Sequence, residues 1–211
     1  VIEEIDWSVG QIMAAIETLN IAQTTSLVFT SDNGPWLLYG SHAGSAKPLK
    51  NGKSTTFEGG MRVMTLFSGP GIQHGVIEGL GMQTDLYATF SQLAGFKASK
   101  TALDSFDLSA TLTREESSPR TFVPFYSGSE LRAFRVNRHK IHYVTQGAYG
   151  RVPKRKEHNP PMLIDLKNDI GETTDISGKK PVITATIDQY AKVFQQSITI
   201  KSSIVDSQFS Q

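Results

Sequence analysis

The order of the hydrophobic patterns constrains this chain most. "VIEEIDWSVGQIMAAIETLN" over residues 1–20 places Ile2, Ile5, Val9, Ile12, Ile16 and Leu19 at steps of three and four, which is one face of a helix over 2–19. A short apolar run follows, "SLVFT" over 26–30. Its length and its place after a helix suit a buried parallel strand. "MRVMTLFSG", 61–69, reads as a second strand, and "TDLYATFSQLAG", 84–95, as a second helix. Thr84 is expected to cap that helix, and Gly95 to end it in a left-handed conformation. This order predicts the end of a doubly wound α/β sheet over 1–96. Residues 34–60 are rich in Gly, Ser, Lys and Pro and read as a long loop, a length that in compact domains is usually functional or disordered.

Beyond residue 96 the pattern fades, and 97–118 reads as a linker. Four short runs then follow: "TFVPFYSG", "LRAFRVN", "HKIHYVTQ" and "PMLIDL". They predict a small antiparallel sheet within a C-terminal α+β subdomain, 119–200. Pro181 opens its last helix, where a missing N–H costs nothing, with Val182, Ile183, Ile187, Tyr190 and Phe194 as the apolar face. Residues 201–211 are expected to fray. The helical face begins at residue 1 with neither methionine nor cap before it, so the chain is expected to be the C-terminal piece of something longer.

Charge excludes little by itself: 21 basic against 20 acidic residues give +1, without the basic excess that marks nucleic-acid binding. No apolar run reaches the roughly 18 residues of a membrane span. With no cysteine, disulfides, thiolate metal sites and cysteine nucleophiles are excluded within the chain. There is no G-x-S-x-G elbow either.

Oxygen ligands and cations remain. Asp32 and Asn33 end the first strand, where open α/β sheets place their ligands, and carboxylate and amide oxygens suit hard cations. Gly34-Pro35 stops the strand and lets both face one ion. Asp/Asn-Gly is equally a common tight-turn signal. In "NGKSTTFEGGMR", 51–62, Gly52-Lys53-Ser54 resembles a phosphate loop, but Lys47 stands where that loop needs glycine. Lys53 reads either as an anion-binding ammonium or as a solvated loop lysine. Among five histidines, His42 lies between the two motifs and is kept as a substrate contact. His139 and His142 read as surface strand residues. The run "RVPKRKEH", 151–158, reads as a solvated loop or a contact for a polyanion.

Taken together, "TSDNGP" and, some twenty residues later, "NGKSTTFEGGMRV" resemble the C-terminal half of a type I sulfatase of the alkaline phosphatase superfamily. "VIEEIDWSVGQI", "TDLYATFSQLAG", "AFRVNRHKIHYV" and "LIDLKNDIGETTD" extend the resemblance over about residues 1–195. It implies an alkaline-phosphatase-like α/β domain and a four-stranded C-terminal sheet, hydrolysis of sulfate esters of a carbohydrate or aryl substrate, and export to the periplasm or outside the cell. It also implies Asp32 and Asn33 as two calcium ligands and Lys53 as the sulfate-binding lysine. The formylglycine nucleophile would lie in an N-terminal half, the expected partner of this chain, because the Cys/Ser-x-Pro-x-Arg spacing fails at "SSPRT", 117–121. Alone, the chain is expected to be inactive. The alternatives are a phosphatase or phosphonate hydrolase of the same superfamily, and a non-catalytic carbohydrate-binding or interaction module.

Overall fold

The computed structural model describes residues 1–98 and 104–198. In chain order its elements are α1 (Ile2–Thr18), β1 (Leu27–Thr30), the helical turn α2 (Glu58–Met61), β2 (Thr65–Ser68), α3 (Asp85–Leu93), α4 (Ser109–Thr113), β3 (Phe122–Ser127), β4 (Glu130–Val136), β5 (His139–Thr145), β6 (Lys156–Asp165) and α5 (Pro181–Ser197). They gather into two compact units: Val1–Gly34 with Arg62–Thr121, and Pro35–Met61 with the chain from Phe122 onward. Among the described residues no helix is long and apolar enough to cross a membrane. The tail expected to fray lies outside the described residues.

In the first unit α1 forms as its spacing predicts, with Glu3 and Glu4 in the first turn, where they favour the positive end of the helix dipole. Its apolar face stays largely open: Val9 and Ile16 are half-buried, while Ile2, Ile5, Ile12 and Leu19 are exposed. The strand β1 differs from expectation. Its neighbour is antiparallel, with Leu27 opposite Ser68 and Thr30 opposite Thr65, and it is half-buried rather than buried. The chain reverses between the two strands, and the Thr30 and Thr65 hydroxyls meet at 2.9 Å across the pair.

Helix α3 ends as expected, with Gly95 at φ +78° and Phe96 N donating to Ser91 O, but Thr84 does not cap it. The Thr84 hydroxyl donates instead to Asp104 O. Asp85 organises this end of the helix: its carboxylate accepts from Met82 N and Phe106 N, both at 2.8 Å. Arg120 grips the same carboxylate through Nε at 2.6 Å and a second guanidinium nitrogen. Both side chains are buried, and the guanidinium lies over the Phe106 ring. Residues 104–118 of the expected linker therefore fold into this unit, with Leu112 buried on α4.

In the second unit the four strands form one antiparallel sheet, ordered β3-β4-β5-β6. Side chains alternate between its faces. Phe134, Ile141 and Leu163 stand in register and join Ile187 and Ala191 of α5 in the apolar core. Phe122 and Phe134 stack there and Phe194 meets both at an angle, with ring centroids 5.3–5.6 Å apart. Val182, expected on the helix's inner face, is exposed, because Ile183 and Ala191 set the packed stripe. The charged run differs too: β6 begins at Lys156, which pairs with Thr145. Backbone hydrogen bonds to β5 extend the strand into polar sequence that has no apolar alternation of its own.

Candidate functional site

In the second unit, Lys53 sits on a loop with little freedom. Asn51 and Ser54 take φ of +58° and +69°, left-handed values that non-glycine residues adopt mainly at special sites. Lys53 N donates to Pro35 O at 2.9 Å. A Cβ on Gly52 would meet that same oxygen at 2.3 Å, so only glycine lets the two backbones approach this closely. Thr55 Oγ1 donates to Gly52 O at 2.7 Å and closes the turn.

The rest of the loop is fastened to the sheet face opposite α5. Residues 55–60 are all buried. Lys140 Nζ donates to Thr56 O at 2.8 Å and lies 3.0 Å from both Glu58 Oε1 and Glu172 Oε1. Glu58 also accepts from Arg135 at 2.9 Å. Glu172 Oε2 accepts from Glu58 N at 2.6 Å, and Lys50 Nζ donates to Glu172 O. The Phe57 ring packs on the His142 ring at 5.3 Å. Gly59 and Gly60 leave no room for a side chain, since a Cβ would stand 2.2 and 2.4 Å from backbone oxygens.

Electrostatics in this cluster follow from burial against pairing. Burial opposes ionisation of Glu172, but Lys140, the His142 N–H and the Glu58 amide together hold its pKa down at about 2. Burial also lowers the His142 pKa, outweighing its hydrogen bond to Glu172. The neutral ring donates from Nε2 to Glu172 Oε1 at 2.8 Å. Its buried Nδ1 has no partner among the described residues, which suits a lone pair far better than an N–H.

His142 thus departs from the surface position that its sequence suggests. Lys140, Glu58 and Glu172 were not recognisable as one cluster either. The one local signal is the alternation around Ile141 in "HKIHYVT", which puts Lys140 and His142 together on the face away from the apolar core.

Lys53 is half-buried, and among the described residues its ammonium has no ion-pair partner. It lines a cleft of 310 Å³ with Leu37, Asn51, Thr55, Arg151 and Val152. His42 is exposed and lines a shallower hollow of 240 Å³ with Trp36 and Tyr39.

Asp32 and Asn33 belong to the first unit, just past the end of β1. Asp32 is exposed and Asn33 half-buried. Ser31 Oγ donates to Asn33 O, and Gln83 Nε2 donates to Ser31 O. The two side chains meet, with Asn33 Nδ2 2.8 Å from Asp32 Oδ1. Rotating the amide by half a turn puts two oxygens side by side, an arrangement that a cation stabilises. The donor set suits a hard cation but supplies two of its 6–8 oxygens, and among the described residues no cluster of three or more His, Asp and Glu forms a metal site.

A family model described as sulfatase matches residues 1–96, and one described as the C-terminal region of aryl-sulfatase matches 118–211. Human arylsulfatase A is 36% identical over 208 residues, covering 91% of this chain and 41% of the relative. Human N-acetylgalactosamine-6-sulfatase is 38% identical over 148 residues, covering 68% and 28%. Among solved structures, the PsFucS1 sulfatase from Pseudoalteromonas sp. superposes with a TM-score of 0.80 at 24% identity, over 92% of this chain and 41% of that one. The chain spans less than half the length of each of these proteins. With two family models matched in tandem and 36% identity to arylsulfatase A over 91% of the chain, the chain belongs to the sulfatase family.

Proposed function

We propose that this chain forms the C-terminal part of a sulfuric ester hydrolase, with Lys53 as the clamp for the sulfate group. One observation carries this reading: half-buried Lys53, which among the described residues has no ion-pair partner, lines a cleft on a loop that buried charges anchor. A transferring anionic group needs such a fixed cation where charge develops. Lys53 binds a sulfate oxygen, Arg151 adds positive charge to the same cleft, and His42 contacts the alcohol portion of the ester.

Asp32 and Asn33 contribute two oxygen ligands to a calcium ion, which when bound neutralises sulfate charge. A formylglycine from outside these 211 residues supplies the nucleophile. The nearest local motif cannot, since Arg120 follows Pro119 directly and is engaged with Asp85. By itself the chain turns over no sulfate ester. Its substrates are sulfated carbohydrates or aryl sulfates, in keeping with the amino-sugar sulfatase named among its relatives. Export from the cytoplasm belongs to the same reading.

The test is aryl sulfate hydrolysis by the full-length protein with and without Lys53→Ala. The expected loss in kcat/KM is about 10²–10³-fold with an unchanged melting temperature. An unchanged kcat/KM removes the clamp. Faster cleavage of a phosphate monoester than of a sulfate ester moves the assignment to a phosphatase.

A further inference from the structure

Three aromatic rings crowd one exposed face of the second unit. Trp36 and Tyr39 stack at 5.3 Å with 29° between their planes, and Tyr149 leans on Trp36 at 6.5 Å. They remain 45%, 60% and 58% exposed. Single exposed apolar residues need no explanation, but a contiguous patch marks a binding surface. The rings come from two distant segments, the turn after Pro35 and the connection between β5 and β6. Tyr149 holds φ at +52°, a left-handed value rare for a bulky side chain.

The same two segments also wall the Lys53 cleft. Residues 36–39 give Trp36 and Tyr39 to the aromatic face and Leu37 and Leu38 to the cleft. Residues 148–152 give Tyr149 to one, and Ala148, Arg151 and Val152 to the other. Among the described residues lining either hollow there is no carboxylate. The surface therefore asks for a ligand with flat C–H-bearing faces, more than one ring long, joined to an anionic group. Pyranose rings carry axial C–H bonds on such a face and hydroxyls around the rim, which matches aromatic rings edged by His42 and cations.

The geometry points to the Trp36–Tyr39–Tyr149 cluster as a stacking subsite for the sugar rings of a sulfated oligosaccharide whose sulfate enters the Lys53–Arg151 cleft. This rests on the sulfate-ester reading for what lies at Lys53; the stacking of sugar on the rings is tested separately from it.

The chain has two tryptophans, so Trp7→Phe leaves Trp36 as the only indole reporter. Sulfated tetrasaccharides of galactosaminoglycan and of galactan type are titrated into that protein, alongside their desulfated forms and sodium sulfate at equal ionic strength. At least one sulfated tetrasaccharide is expected to shift Trp36 emission saturably, its desulfated form to do so more weakly, and sulfate alone not to do so. Tyr149→Asn keeps a residue that tolerates the left-handed backbone and removes the ring. It is expected to weaken tetrasaccharide binding by about five- to tenfold, the worth of one aromatic contact, and Tyr39→Ala likewise.

Three results overturn the subsite: no saturable shift with any saccharide, the same shift with sulfate alone, or unchanged affinity in Tyr149→Asn. If Trp36→Ala lowers the melting temperature of the longer protein by more than about 5 °C but leaves that of the 211-residue chain unchanged, the rings cover the protein's own remainder, and the subsite falls too. Saccharide binding by the longer protein without any sulfate release refutes the hydrolase and leaves the subsite. Hydrolysis with no effect of the ring variants on saccharide binding does the reverse.

Discussion

Lys140 and Arg135 stand directly opposite each other on neighbouring antiparallel strands. Two cations in that position repel. Glu58 resolves the conflict by reaching from the lysine loop to both, at 3.0 Å and 2.9 Å. Glu172 meets Lys140 from the other side at 3.0 Å. The loop that carries Lys53 and the sheet that carries the cations therefore depend on one another: without Glu58, buried Lys140 and half-buried Arg135 stand opposite each other with the carboxylate that bridges them gone.

Glu58→Gln keeps the shape and removes the charge. It leaves Lys140 with one carboxylate and Arg135 with none of its Glu58 pairing, so the expected loss of stability is about 3–5 kcal/mol. Urea unfolding of the 211-residue chain reads this as a lower midpoint. A change within about 0.5 kcal/mol, the range of ordinary surface substitutions, would show that the cluster adds nothing.

Stability should fall with acid in two stages. His142 and Glu172 both have folded pKa values below their ordinary 6.5 and 4.5. The unfolded chain therefore takes up each proton at a higher pH than the folded one, and stability is lost as pH falls. The first loss begins near pH 6.5 and belongs to His142 together with His139 and His158, whose pKa values burial also lowers. The second begins near 4.5 and runs down to about 2; Glu172 leads it, with Asp165 and Asp175, whose pKa values are also lowered, adding to it. Denaturant midpoints measured from pH 7 to pH 3 should decline steadily, and Glu172→Gln should flatten the lower part. A profile that rises toward acid would contradict these assignments.

Gly59→Ala drives a Cβ to within 2.2 Å of Asn51 O and 2.4 Å of Lys50 O. Backbone atoms cannot yield as a side-chain tip can, so the loop must shift, at about 1–3 kcal/mol. Thermal melting checks the cost, and amide exchange of residues 50–55 should rise with it.

In the first unit, Arg120→Lys keeps the charge and loses the two-pronged grip on Asp85. A lysine cannot also hold Asp104 O, as the guanidinium does at 2.7 Å. A loss of about 2–4 kcal/mol is expected, less than for removing the charge outright. Arg120→Met should be worse, because it leaves Asp85 buried without its cation, and denaturant unfolding ranks the two.

Calcium should raise the melting temperature of the full-length protein, because an ion that binds only the folded state stabilises it by mass action. Asp32→Ala and Asn33→Ala should each diminish that rise without lowering the calcium-free melting temperature. A calcium response identical to that of the unsubstituted protein would separate these residues from the ion.

The sequence by itself determined α1, α3 and α5, the four C-terminal strands and the motif pair. Apolar spacing announces α1, α3 and α5. The runs around Phe125, Phe134, Ile141 and Leu163 announce a sheet because each buries apolar atoms on one side, and Gly95 marks a helix end because glycine takes φ of +78° without strain. Only the tertiary structure decided that β1 pairs antiparallel, that Thr84 turns to Asp104, and that His142 and Lys140 are buried. Periodicity reports where apolar atoms leave water. A buried charge depends on a partner that local pattern cannot reveal: Glu172 meets the Glu58 amide from 114 residues away and His142 from 30. Folding brings those groups together, and their pairing lets the loop around Lys53 press charged side chains into the sheet.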